Sequence, residues 1–126
     1  MKICITSTGE NLDSFIDPRF GRCQYFLIVD EKGKLLKAIP NQGVQAIRGA
    51  GVTAAQIVAN EKVEAVITGN IGPNAFMVLG QSGIKIYAGV FRVKASQALE
   101  MFNQGKISEC RAPMPGFGRR RGMEGR

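Results

Sequence analysis

Read for its alternation of apolar and polar positions, the chain breaks into short periodic segments separated by Gly, Pro, Asn and Asp. Lys2–Ser7 (KICITS) alternates with period two and predicts a strand. Thr8–Arg22 carries the residues of a loop, with room for one helical turn in NLDSFI. Cys23–Asp30 (CQYFLIVD) is rich in β-branched and aromatic residues and predicts a second strand. EKGK then reads as a hairpin turn with Gly33 free to take a positive φ, and Leu35–Ile39 as the returning strand. Pro40–Gly49 is a loop. Ala50–Asn60 places Val52, Ala55, Ile57, Val58 and Ala59 at helical spacing. Val63–Thr68 is a continuous apolar run of the kind covered on both faces of a sheet. Pro73–Gly80 predicts a helix, with Pro73 in the first turn, where a missing N–H costs nothing. Ile84–Ala88 predicts a strand and Lys94–Gln104 a helix closed by Gly105.

The order β-β-β-α-β-α-β-α, with hairpins first and right-handed crossovers after, predicts an α/β fold. Its simplest form is a mixed five-stranded sheet of order 3-2-1-4-5 with flanking helices, only the second strand running against the others. Residues 1–110 are expected to form one domain, and 111–126 a Gly/Arg/Met-rich tail expected to be disordered.

That topology brings separate loops to one edge. The carboxyl ends of the first, fourth and fifth strands lead into Thr6–Glu10, Gly69–Asn74 and Gly89–Val93. The approach to the second strand (DPRFGRC, Asp17–Cys23) and the loop into the first helix (RGAG, Arg48–Gly51) end there too. Ligands in open α/β sheets bind outside the carboxyl ends of strands, where the connections reverse direction. Two of the helices start at this edge from Gly-rich turns, so unpaired N–H groups and positive dipole ends face it. All four arginines of residues 1–110 (Arg19, Arg22, Arg48 and Arg92) fall in these loops. The combination predicts a site for an anion. Its candidates are Arg19, Arg22, Cys23, Arg48, Gly49, Gly51, Gly69, Asn70, Gly72 and Asn74; Asn70 and Asn74 are equally suited to capping the second helix. Neither GxxxxGK[ST] nor a GxGxxG after the first strand is present, which speaks against a nucleotide.

Charge changes this picture little. The net charge of +7 divides into +3 for residues 1–110 and +4 for the last 16 residues, so the folded part is only mildly basic. Nucleic acid is therefore not the expected partner; Phe20, Phe91 and Phe117 are the only weak aromatic candidates for it. No apolar run is long enough to span a membrane, and the N-terminus lacks a secretory pattern, so the expected location is the cytoplasm. Cys4, Cys23 and Cys110 stand far apart, there is no histidine and no CxxC, and neither a disulfide scaffold nor an ordinary zinc site is expected. Cys4 sits mid-strand between isoleucines and reads as structural. Cys23 follows Arg22 and Arg19, and positive charge favours a thiolate, the form that binds soft metals. One thiolate cannot hold a cluster alone. It suits a preassembled anionic cofactor whose other contacts come from arginines and backbone N–H groups.

Three segments, DPRFGRCQYFLIVD (Asp17–Asp30), GAGVTAAQ (Gly49–Gln56) and ITGNIGPNAF (Ile67–Phe76), resemble the dinitrogenase iron–molybdenum cofactor biosynthesis family, over roughly residues 1–108. The family includes the NifX and NafY carriers and the C-terminal domain of NifB. The resemblance implies a ribonuclease H-like, three-layer fold. It also implies non-catalytic binding or carriage of an iron–sulfur or iron–molybdenum-type cluster or its precursor, exchanged with cofactor donor and acceptor proteins. Some members use histidine. Here the position before Gly49 is Arg48, so metal ligation would fall to Cys23.

Two other classes are weighed against this reading. A ribonuclease-like nuclease needs several carboxylates at one site, and neither KICITS nor AVITGN contains an acid. A regulatory or interaction module binding protein or RNA without a metal cofactor would use the basic tail and the loops.

Overall fold

The computed structural model describes residues 1–43 and 49–112. The expectations for Arg48, for Phe117 and for most of the tail fall outside the described residues. The chain runs β1 (Lys2–Ser7), β2 (Tyr25–Asp30), β3 (Leu35–Pro40), α1 (Ala50–Asn60), β4 (Ala65–Ile67), α2 (Pro73–Gln81), β5 (Lys85–Tyr87) and α3 (Ala95–Asn103). The strands form one sheet of order β3-β2-β1-β4-β5. β2 is antiparallel to both neighbours, while β1, β4 and β5 are parallel. The mixed sheet inferred from the pattern is therefore the observed one. Three strands are shorter than predicted, while β3 runs one residue further, to Pro40. β2 starts at Tyr25 rather than Cys23, and β4 and β5 keep only their central residues.

Period-two alternation sorts the strands into two faces. Cys4, Phe26, Ile28, Val66 and Ile86 share one core with Ala54, Ala55 and Val58 of α1 and Ala75 and Leu79 of α2. Ile3, Ile5, Leu27, Val29, Ala65 and Ile67 point the other way and pack with Ala95, Ala98 and Leu99 of α3. The molecule thus has three layers, α1 and α2 on one side and α3 on the other. Each fully buried Leu, Ile or Phe contributes about 1.5–3 kcal/mol, so both faces are strongly fixed in register. The hairpin turn between β2 and β3 is closed by Gly33 N–H donating to Asp30 O at 3.1 Å, with Gly33 at φ 94°. After α3 the chain returns along β5, where Cys110 N–H donates to Ile86 O at 2.7 Å.

Residues at the carboxyl edge of the sheet are stitched to one another by backbone bonds. Thr68 O accepts from Val90 N–H at 3.2 Å and Gly69 O from Gly89 N–H at 2.8 Å, which ties the loop after β4 to the loop after β5. Gly69 is enclosed in the process: a Cβ there would stand 2.6 Å from Pro18 Cα and 2.8 Å from Phe91 Cε1. Gly69→Ala is accordingly expected to destabilise the protein by about 1–3 kcal/mol through overpacking. Urea unfolding of the variant beside the parent measures it, and an unchanged midpoint would contradict the close approach.

Candidate functional site

The segment from Asp17 to Cys23 crosses the carboxyl ends of the strands, and its own backbone holds it there. Asp17 N–H donates to Thr6 O at 2.9 Å. Thr6 Oγ1 donates to Asp17 O at 2.7 Å and shares a 2.9 Å hydrogen bond with Thr68 Oγ1. Asn70 N–H donates to Pro18 O at 2.6 Å and Phe20 N–H to Asn70 O at 3.2 Å, so the segment pairs with the loop after β4. The Asp17 carboxylate is buried and accepts from Arg19 three times, from its N–H at 3.1 Å, Nε at 3.2 Å and Nη2 at 3.3 Å. That pairing raises the Arg19 guanidinium above its ordinary value, with the Asp17 hydrogen bond as the main cause. The side chain of Asn41, also buried, then closes the far end. Its Nδ2 donates to Cys23 O at 2.9 Å and Gly21 O at 3.1 Å, while its Oδ1 accepts from Gly43 N–H at 3.0 Å.

On one side of this strap lies a small pocket of about 180 Å³ between the N-termini of α1 and α2. Gly49, Gly51, Gly72 and Asn74, all singled out from the sequence, line it, with Phe20 and Gly21 of the strap as its wall. The wall is close: a Cβ on Gly21 would meet Gly51 N at 2.9 Å. Gly49 and Gly72 are the N-caps, and neither helix has a side-chain cap. Asn70 and Asn74 therefore do not play the capping role that their position also allowed. The first intrahelical bonds begin at Thr53 N–H to Gly49 O, 2.9 Å, and Phe76 N–H to Gly72 O, 3.0 Å. The first-turn N–H groups before them have no intrahelical acceptor, and the dipoles of both helices add positive potential at the same place. A Cβ built on Gly49 or Gly72 meets nothing within 4 Å among the described residues, which leave space there for an occupant. No carboxylate lines the pocket among the described residues. The chemistry of this wall is that of an anion receptor made of backbone donors.

On the other side lies a larger groove of about 770 Å³. Arg19 and Asn70 belong here, not in the helix pocket, together with Phe15, Ile16, Pro18, Phe91 and Arg92. The single site expected from the sequence is therefore two, separated by the strap. Gly69 lies beneath, against Pro18 and Phe91. Arg22 lines neither pocket, and its N–H donates to Arg19 O at 3.2 Å. Phe15 and Asn41 were not foreseen as parts of this region; Phe91 and Arg92 were placed at this edge in the Gly89–Val93 loop but left out of the candidate set. The Phe91–Arg92 pair in a loop at the right edge was the available signal for the groove; nothing in the sequence marks Asn41.

Two expectations are corrected. Phe20, considered as an exposed aromatic, is 2% exposed and belongs to the core beside Phe26. The anticipated thiolate at Cys23 is not favoured either. The residue is fully buried, and burial, reinforced by Asp17, pushes its thiol far up, outweighing Arg19. Burial does the same to Cys4. No group of three or more His, Cys, Asp or Glu that could hold a metal ion occurs among the described residues. No helix among them is long and apolar enough to cross a membrane.

Known proteins share this fold. The family profile "Dinitrogenase iron-molybdenum cofactor" matches residues 1–105. A curated relative, an uncharacterised protein of Methanocaldococcus jannaschii, is 35% identical over 112 residues, 86% of this chain and 91% of the relative. Among solved structures, the apo form of the orange protein from Desulfovibrio gigas superposes with a TM-score of 0.86 at 32% identity, covering 90% of this chain and 96% of that one. A Thermotoga protein described as a candidate NifB superposes at 0.74 with 31% identity, covering 86% and 91%.

The buried thiols have a measurable consequence. Their ordinary value is 9.0, and both are raised in the fold. Their contribution to stability is complete below that pH. Above it the unfolded chain releases protons that the folded chain keeps, so stability falls as pH rises, by about 1.4 kcal/mol per pH unit for each thiol. Urea unfolding at about pH 8 and about pH 10 is expected to show the loss, and Cys23→Ala to reduce its slope. An equal slope in the variant would contradict the raised thiol.

Proposed function

We propose a function for this chain, which belongs to the dinitrogenase iron–molybdenum cofactor family: it binds and carries an anionic metal–sulfur cluster, without catalysis, in the pocket between the two helix N-termini. One observation carries the reading. Two uncapped helices aim their first-turn N–H groups at one open pocket whose glycines leave room that a side chain would fill. The family points to an iron–molybdenum-type cofactor or its precursor. The description of the orange protein structure as an apo form supports a bound group in that relative. The ribonuclease H-like arrangement implied by the motifs is supported by the mixed sheet with helices on both faces.

The residues fit such cargo. A cluster with sulfide and a net negative charge takes hydrogen bonds from backbone N–H groups at Ala50, Gly51, Val52 and Asn74 and from the Asn74 amide. The neutral lining presents no nucleophile and no general base, which suits holding over transformation. We place Cys23 outside the ligand set, because a buried, protonated thiol is a poor metal ligand.

Gly72 supplies a sharp test. Its φ of −83° and ψ of 174° admit any residue, and aspartate at an N-cap supports its helix. Gly72→Asp is therefore expected to fold at least as well as the parent while its carboxylate repels the cargo. Anaerobic titration with isolated iron–molybdenum cofactor, read by visible absorbance and by iron retained after desalting, should show stoichiometric binding by the parent. Gly72→Asp should lose it and Cys23→Ala should keep it. Binding retained by Gly72→Asp would move the site elsewhere, loss in Cys23→Ala would restore the cysteine as ligand, and no binding by the parent would overturn the cofactor reading.

A further inference from the structure

We infer that the groove on the other side of the strap is a separate binding site for a small amphipathic anion, an apolar body carrying one carboxylate or phosphate. This does not rest on the cluster reading, because the two sites share no lining residue. Several independent observations converge on it. At about 770 Å³ the groove has the size of a small-molecule site. Phe15 and Phe91 are 54% and 44% exposed, and they are the only exposed large aromatics among the described residues. Both line this one groove. Large apolar rings left in water at a single concave place mark a contact surface, whereas scattered ones do not.

Arg92 provides the charge. It lines the groove and forms no hydrogen bond or ion pair with any described residue. Its backbone sits at φ 62°, in the left-handed region that favours glycine. An arginine held in a conformation glycine would occupy more easily, with no partner for its cation among the described residues, makes no contact there that explains it. Such outliers concentrate at binding sites. Arg19 differs. Its Nε and Nη2 are engaged by Asp17, so its charge is largely balanced and it forms a fixed polar wall. Asn70 adds an amide opposite, on a backbone fixed by its bonds to Pro18 and Phe20. An apolar floor, one uncompensated guanidinium and one amide recognise a hydrophobic molecule with a single anionic group. A bare inorganic anion would leave the rings in water, and a neutral hydrocarbon would leave Arg92 unused.

The strained arginine makes the test discriminating. Arg92→Gly removes the charge and relieves the backbone, so the variant is expected to melt at the same temperature or higher. The probe is 2-naphthoate, titrated into the full chain and followed by chemical-shift changes at the Phe15 and Phe91 amides, beside 2-naphthalenemethanol and inorganic phosphate. The expected result is saturable 1:1 binding of 2-naphthoate. Both comparison compounds should bind about tenfold or more weakly, as should 2-naphthoate to Arg92→Gly, the loss of one charge-assisted contact. Arg92→Lys should recover part of the affinity, and Phe15→Ser should weaken it with no change in melting temperature. Equal binding of the neutral alcohol, equal binding of phosphate, unchanged affinity in Arg92→Gly, or a lower melting temperature for that variant would each overturn the assignment. Gly72→Asp should bind 2-naphthoate like the parent, which separates this outcome from that of the cluster titration.

Discussion

The buried carboxylate of Asp17 is the constraint on which the functional edge depends. It lies at 1% exposure over the end of the sheet, where an uncompensated charge would be strongly unfavourable. Its three bonds from Arg19, two residues on, resolve that, and they hold the chain in its turn at Pro18. Once turned, the segment has its N–H and C=O groups opposite those of Thr6 and Asn70, and the backbone bonds to both follow. The strap is thus a consequence of satisfying one carboxylate. Because Arg19 is 55% exposed, the ion pair itself contributes modestly. Its larger effect is geometric, fixing where Phe20 enters the core and where Gly21 meets α1.

Glycine makes that position possible on both sides. Gly21 against Gly51, and Gly69 against Pro18 and Phe91, are approaches that no side chain would permit. The strap consequently lies flush against the helix start on one side and against the β5–α3 loop on the other. What remains open on each side has a different character because the neighbours differ. Two helix N-termini give a receptor of dipoles and N–H groups with no formal charge in its described lining. A loop bearing Phe91 and Arg92, facing Phe15, gives an apolar groove with a formal charge.

The sequence made the fold legible because its signals agree. Period-two strands, a Pro-started helix, and Gly at Gly33 and Gly105 all point to the same order of elements, and the sheet order follows from short connections and crossover handedness. The edge where the loops converge was legible for the same reason. The division of that edge into two sites was not. It depends on which way the 17–23 segment passes between the loops, and so on tertiary hydrogen bonds of Asp17, Asn70 and Asn41 that no local pattern encodes. The misreading of Cys23 has a similar origin. Sequence places it next to Arg22 and near Arg19, but proximity along the chain says nothing about depth, and at zero exposure desolvation outweighs a neighbouring charge. Phe20 failed in the same way, a loop residue whose loop folds inward.

That depth also bears on the cluster-binding function proposed above. An accessible thiolate beside the pocket would compete with the sulfide ligands of a bound cluster, and a covalent bond to iron or molybdenum would slow release. Cys4 and Cys23 are withdrawn into the core, where burial raises both thiols and they fill the space between the sheet and α1. The donors left at the pocket are N–H groups, which bind an anion through geometry and field, form no covalent bond, and let go when a better acceptor offers its own donors. For a carrier, affinity must suffice to protect the cargo without trapping it. On the proposed reading, a receptor of two helix ends with its thiols buried would meet that requirement through hydrogen bonds and field alone, without a cysteine ligand.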